Sequence, residues 1–333
     1  MNRIKMILLL STGFLLLLFQ NCSNNYKLTT NGSNPTGGEN AAGIGGGNPN
    51  PIPSPSVIPT PTPSPSSNPV VCNPFGGSSG SSGMGLITNG VYYVDVASLP
   101  SGTSPDADIN NSVLNLLNAK TPYVDYANVD VYLSQINYPS MYFTDGFTDS
   151  SGDTLKDSTG ATLIQYFGFQ AKSVFVPGDW APGDYEIAVL SDDGSILTMT
   201  GGQADGSDLV INNDGAHALT MGCTTEVLHV TANSQIPMTF DYFQGPPVTI
   251  GMIMMYRPVS VSGTAQDPLC GKGGDPYYFQ DHDANGPINP ATPLAPYQQL
   301  VGAFGAQAAG SGGWKVVEPN HFQLPAGTQP ACN

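Results

Sequence analysis

The chain has 333 residues and a formal net charge of −16, with nine Lys+Arg against twenty-five Asp+Glu. Nucleic acid is excluded as a partner by that balance, because binding phosphates takes clustered cations. Only 10% of residues are charged, while Gly and Pro number 40 and 30, a profile that suits an exported β protein better than a cytosolic enzyme.

Arg3 and Lys5 precede an apolar run from Met6 to Phe19, and Cys22 follows. The run is shorter than the roughly 18–20 residues that span hydrocarbon, so it reads as an export signal. A Cys just after such a run resembles the lipobox of bacterial lipoproteins, with Gln20-Asn21 departing from the small residues usual there. The resemblance implies removal of residues 1–21 and a membrane anchor on lipidated Cys22. Ser23 after the Cys implies the outer membrane or cell surface as destination. A secretory peptide cleaved elsewhere is the alternative.

Residues 22–83 are dominated by Asn, Gly, Pro and Ser and cannot bury a core, so they read as a disordered or polyproline-like stalk. Extended at about 3 Å per residue, it would reach more than about 100 Å from the membrane. Gly76-Gly77-Ser78-Ser79-Gly80 matches the G-x-S-x-G pattern of hydrolases but lacks the flanking strand and helix that its chemistry requires.

From residue 84 the pattern is one of short strands: GLITNGVYYVDVASL as a first strand, then ANVDVYLSQI, PSMYFTDGFTDSSGDTL and ATLIQYFGFQAKSVFV. Ile109–Ala119 is the one helical piece, with Val113, Leu116 and Leu117 on one face. In YEIAVLSDDGSILTM, two strand-like runs flank Asp192, Asp193 and Gly194, which alone reads as a wet hairpin tip. SDLVINNDGAHAL, TTEVLHVTAN, IPMTFDYFQGPP and VTIGMIMMYRP continue the series. Strands broken by Gly, Asn and Pro, without long helices, argue for an all-β sandwich or barrel over residues 84–260.

Residues 261–333 are expected to pack on that domain as an extension. Cys72, Cys223, Cys270 and Cys332 form an even set for an oxidising compartment, with three possible pairings. Domain termini lie close together, which favours Cys72 with Cys332 and Cys223 with Cys270. Asp281-His282-Asp283-Ala284-Asn285-Gly286 matches the first half of a calcium loop, but position twelve is Thr292 instead of Glu, so an ordinary polar turn is favoured.

GDYEIAVLSDDGSILTM, LVINNDGAHAL and IPMTFDYFQGPPVTIGMIMMYRP, in that order, resemble the PA-fourteen domain, a β-sandwich or barrel module of surface proteins, glycosidases and yeast flocculins. The likeness spans residues 86–258, and Thr198–Gly202 departs from the usual strand and turn. It implies that Asp192 and Asp193 hold calcium, with Gln244 at the amide position of the family's Y-x-N loop. It further implies that ion and aspartates engage sugar hydroxyls. Two adjacent carboxylates meet on one ion only if the backbone bends, and a cis peptide is one way. Structural calcium or plain turn capping is the alternative, and Asn212, Asn213, Asp214 and His217 are expected to shape a neighbouring loop.

Four histidines without H-E-x-x-H, and carboxylates adjacent in sequence instead of flanking a bond, argue against catalysis. The expected function is therefore calcium-dependent recognition of a glycan by a lipid-anchored surface protein. A structural or assembly lipoprotein that binds another protein is the competing class.

Overall fold

The nine-residue segment FGFQAKSVF at Phe167–Phe175 alternates apolar and polar positions, and Phe167, Phe169, Ala171 and Phe175 are fully buried. Such alternation puts one face of a strand on a core and leaves the other to polar residues. A computed structural model describes residues 68–76, 82–246, 249–259, 270–271, 314–328 and 332. Its strands are β1 (Val70–Cys72), β2 (Leu86–Thr88), β3 (Val91–Val94), β4 (Val124–Ala127), β5 (Asp130–Leu133), β6 (Asn137–Met141), β7 (Phe167–Phe175) and β8 (Gly183–Asp192). They continue as β9 (Ser195–Met199), β10 (Leu209–Asn213), β11 (Thr220–Cys223), β12 (Leu228–Val230), β13 (Ile236–Gln244), β14 (Ile250–Pro258), β15 (Lys315–Val316) and β16 (Phe322–Gln323). Two short helices, α1 (Pro105–Asp108) and α2 (Val113–Leu117), lie between β3 and β4.

The expected all-β architecture is present as two sheets. One runs β1-β5-β2-β7-β13-β9-β10, with β3, β4 and β16 attached; the other runs β11-β8-β14-β15, with β6 and β12 attached. A single core cluster joins Phe167, Phe169, Phe240 and Tyr242 of the first to Ile187, Val189, Met252 and Met254 of the second, so the sheets face each other as a sandwich. Each large apolar side chain so buried contributes about 1.5–3 kcal/mol.

Both expected disulfides form, Cys72–Cys332 and Cys223–Cys270. The described part of the tail packs on the domain: β15 pairs with β14, and β16 with β7. Trp314 and Val316 join Ala188, Leu190, Ile253 and Met255 on the outer face of the second sheet, and the Arg257 guanidinium lies 4.6 Å from the Trp314 ring.

Several details differ from the sequence reading. Val70–Cys72, assigned to the stalk, is a strand pairing in parallel with β5; its three residues are too few to show against the surrounding Pro and Ser. The first expected strand is two, β2 and β3, divided at Asn89-Gly90, where Gly90 has φ of +103° and abuts the Tyr126 ring. Of the expected helical piece Ile109–Ala119 only α2 is helical, since Asn110 and Asn111 adopt φ near +50°, and α1 lies ahead of it where no helix was expected. Ser104 caps α1 by accepting from the Ala107 amide. Among the described residues no helix is long and apolar enough to cross a membrane. The signal segment, Cys22, most of the stalk and the Asp281–Gly286 loop lie outside the described residues.

Candidate functional site

Strands β8 and β9 are consecutive in sequence, yet β8 belongs to one sheet and β9 to the other. Asp192-Asp193-Gly194 therefore carries the chain across the end of the sandwich and is not the tip of a hairpin. Because this corner is packed on both sides, Asp192 and Asp193 are each only 7% exposed, where a hairpin tip would be wet. The peptide between them is cis.

Each carboxylate is held by donors from a different loop. Thr249 donates its hydroxyl to Asp192 Oδ2 at 2.6 Å. The Gly245 amide donates to Asp193 Oδ2 at 2.7 Å, and the His217 amide to Asp193 Oδ1 at 3.0 Å. No ion pair among the described residues includes either carboxylate. Burial without a compensating cation pushes Asp192 up to about 7, against the Thr249 bond and with the Asp193 charge adding to the rise. Asp193 is pushed up to about 6 by burial, tempered by the Gly245 and His217 amides and raised further by Asp106.

Gln244 ends β13 on its inward face and is 2% exposed. Its Oε1 accepts from the Tyr242 hydroxyl at 2.7 Å, and its Nε2 donates to the Pro246 and Thr249 carbonyls at 3.1 and 3.0 Å. The carboxamide thus clasps both ends of the loop that presents Gly245 and Thr249 to the aspartates. The same Tyr242 hydroxyl sits within hydrogen-bond reach of the Asp192 carbonyl, its single proton shared between that oxygen and Gln244 Oε1, which ties the corner to the clasp.

The NNDGAH loop shapes the third side, as its composition implies. Asn213 donates to Ser191 Oγ and the Thr220 carbonyl, and the His217 ring contacts the Asn213 and Ala218 carbonyls. Asp214 accepts from Ser112 Oγ and the Val113 amide, both at 2.7 Å, so it fastens the start of α2. Gly194 is required here: an added Cβ would stand 2.8 Å from the Gly215 backbone.

Two contributors escape sequence reasoning, Asp106 and Tyr166. Asp106 of α1 is brought beside Asp193, and its Oδ1 is fully enclosed with no hydrogen-bond partner. A Cβ on Gly245 would lie 3.0 Å from Asp193 Oδ2 and 3.4 Å from Asp106 Oδ1, so the missing side chain leaves a cradle between the two carboxylates. Tyr166, at φ of +52°, donates its amide to the Gly245 carbonyl, and burial together with the Asp106 and Asp193 charges raises its phenol. α1 lies ahead of the piece read as helical, and nothing local tells that Asp106, 87 positions before Asp193, docks beside it.

The donors around the corner are oxygens, the set that suits a hard cation such as calcium. Among the described residues no three His, Cys, Asp or Glu side chains stand close enough to ligate one ion by themselves. An ion at the aspartates would complete its shell with amide, carbonyl or water oxygens, or with a carboxylate that moves in. The enclosed orphan oxygen, the cradle and two uncompensated buried carboxylates fit such a group.

No protein-family model and no curated protein matches the sequence. Among solved structures, the chain is similar to the Epithelial Adhesin 6 A domain from Candida glabrata in complex with Galb1-3GlcNAc, at 15% identity and a TM-score of 0.35, over 61% of this chain and 88% of that one. It is also similar to the PA14 domain of the antifreeze protein MpAFP, at 16% identity and a TM-score of 0.34, over 55% of this chain and 86% of that one. A PA14 sugar-binding domain from an RTX adhesin matches at 15% identity and a TM-score of 0.31, over 53% of this chain and 91% of that one.

Proposed function

We propose that the protein is a non-catalytic surface module that recognises a glycan through calcium held at the Asp192–Asp193 corner, tethered to the outer membrane or cell surface by a lipid on Cys22. The observation that carries the reading is the pair of adjacent carboxylates, each 7% exposed and neither paired with a cationic side chain among the described residues. Leaving charge buried and unpaired is costly, and a bound cation removes that cost.

Calcium supplies coordination positions that vicinal sugar hydroxyls can fill. The chain's own residues do the rest. Asp192 and Asp193 carry the charge, while Thr249 and the Gly245 and His217 amides fix the direction of three of their four oxygens. Gln244 is the amide-oxygen donor, through the lone pair that Tyr242 does not use, and it braces the loop. Single sugar sites bind modestly, so many copies on one membrane would act by avidity.

The test is calorimetric titration of calcium into the protein and into Asp192→Asn/Asp193→Asn, followed by a glycan array with and without chelator. Calcium binding lost in the double variant, with chelator-sensitive glycan binding, is expected. Calcium binding without any glycan would reduce the corner to a structural ion site. Indifference to calcium in both proteins would overturn the reading and favour a protein-binding envelope component.

A further inference from the structure

We infer that Asp106 is a third carboxylate for the cation, and that binding the ion latches the Ser104–Leu117 segment over the site. The inference rests on the reading of the Asp192–Asp193 corner as a cation site.

Asp106 comes from outside the three motif segments, on a helix of only four residues between β3 and β4. Its position is nevertheless imposed by the fold. Ser104 caps its helix, and six residues on Asp214 grips Ser112 and Val113. Beneath the segment, Ile109, Val113 and Leu116 are fully buried against Ile196 and Phe243, the second residue of β9 and the residue before Gln244. The segment is therefore seated on the two strands whose ends build the site.

On this seat, Asp106 Oδ1 is enclosed, has no hydrogen-bond partner, and shares with Asp193 Oδ2 the space that a side chain at 245 would fill. A buried carboxylate oxygen without a donor is the exception in folded proteins and asks for a missing partner. The nearest oxygen facing the cradle from the other side belongs to the Asp193 carboxylate, so a positive partner answers the geometry and a further hydrogen-bond acceptor does not. Calcium–oxygen contacts span about 2.3–2.6 Å, so Asp106 has to close by a small movement or through one water. That is consistent with three acidic groups not yet converging on a single point.

Closure would fasten the α1–α2 segment to the Gly245 loop, joining two walls of the binding site. The ion would then organise the rim that meets the ligand, besides offering coordination positions of its own.

The experiment measures calcium binding by calorimetry for the wild type, Asp106→Asn and Asp106→Ala, with amide hydrogen exchange of residues 104–118 read alongside. The expected result is a loss of affinity of about 10-fold or more in both variants, as for groups that support a metal site. Exchange across 104–118 should slow on adding calcium in the wild type, and stay unchanged in Asp106→Asn even when that variant is saturated. Wild-type affinity in both variants, with the same protection of 104–118, would overturn the inference while leaving the corner as a calcium site. Absence of calcium binding in the wild type would instead sink the reading of the corner itself, and the inference with it.

Discussion

In calcium-free buffer, raising the pH should destabilise the protein, and Asp192 sets the size of the effect. Its folded carboxyl is raised from 3.8 to about 7 by burial. A raised acid favours folding while protonated, so that contribution is complete below about pH 4 and is lost as pH climbs through about 7. Each tenfold change in proton affinity is worth about 1.4 kcal/mol, which makes the loss for Asp192 about 4 kcal/mol. Asp193, raised to about 6, pushes in the same direction, but the two charges repel and their costs do not simply add. The assay is urea unfolding at pH 5, 6, 7 and 8, in chelator and in excess calcium, for wild type and Asp192→Asn. In chelator the wild type should lose several kcal/mol between pH 5 and 8, and Asp192→Asn distinctly less. Calcium at 100 times its dissociation constant should restore about 2.7 kcal/mol at pH 8 and much less at pH 5, where protons compete for the same oxygens. Equal wild-type stability at pH 5 and 8 in chelator would refute the claim that this corner holds uncompensated buried charge.

Gly245→Ala places a methyl 3.0 Å from Asp193 Oδ2, in the cradle, at a position without a positive φ; calorimetry should show calcium affinity reduced at least 10-fold while circular dichroism keeps the sandwich signature. Removing the Cys72–Cys332 link by Ala at both positions frees a closure spanning 260 residues and should cost about 2–5 kcal/mol in urea unfolding. Trp180→Ala should cost about 3–5 kcal/mol in the same assay, because the ring is 7% exposed and stacks on Tyr256 at 3.8 Å between centroids.

The sandwich is legible in the chain because its strands alternate over long runs, as in Phe167–Phe175 and Ile236–Gln244. The helix α2 is placed by Val113 and Leu116, but its later start, after Asn110 and Asn111 at φ near +50°, depends on local backbone freedom that apolar spacing does not report, and the four-residue α1 before it shows no such spacing. The aspartate pair is visible in sequence, whereas its setting is not. A strand–turn–strand pattern is the same whether the second strand folds back beside the first or crosses to the facing sheet, and only the pairing of β9 with β13 and β10 decides. Motif position singles out Gln244, and its bonds to Tyr242, Pro246 and Thr249 make it a clasp on the loop. Asp106 is invisible because its role comes from a contact made 87 residues away.

Cys72 lies where the domain begins and Cys332 near its end, and their Cα atoms are 5.7 Å apart. The Asp192–Asp193 corner is consequently joined to Cys72 by two covalent routes, one running forward along the chain and the other backward from Cys332. A single proteolytic cut anywhere between those cysteines severs only one route, so a nicked molecule keeps that corner attached to whatever precedes residue 72. Under tension between that corner and the N-terminal side, the two arms share the load.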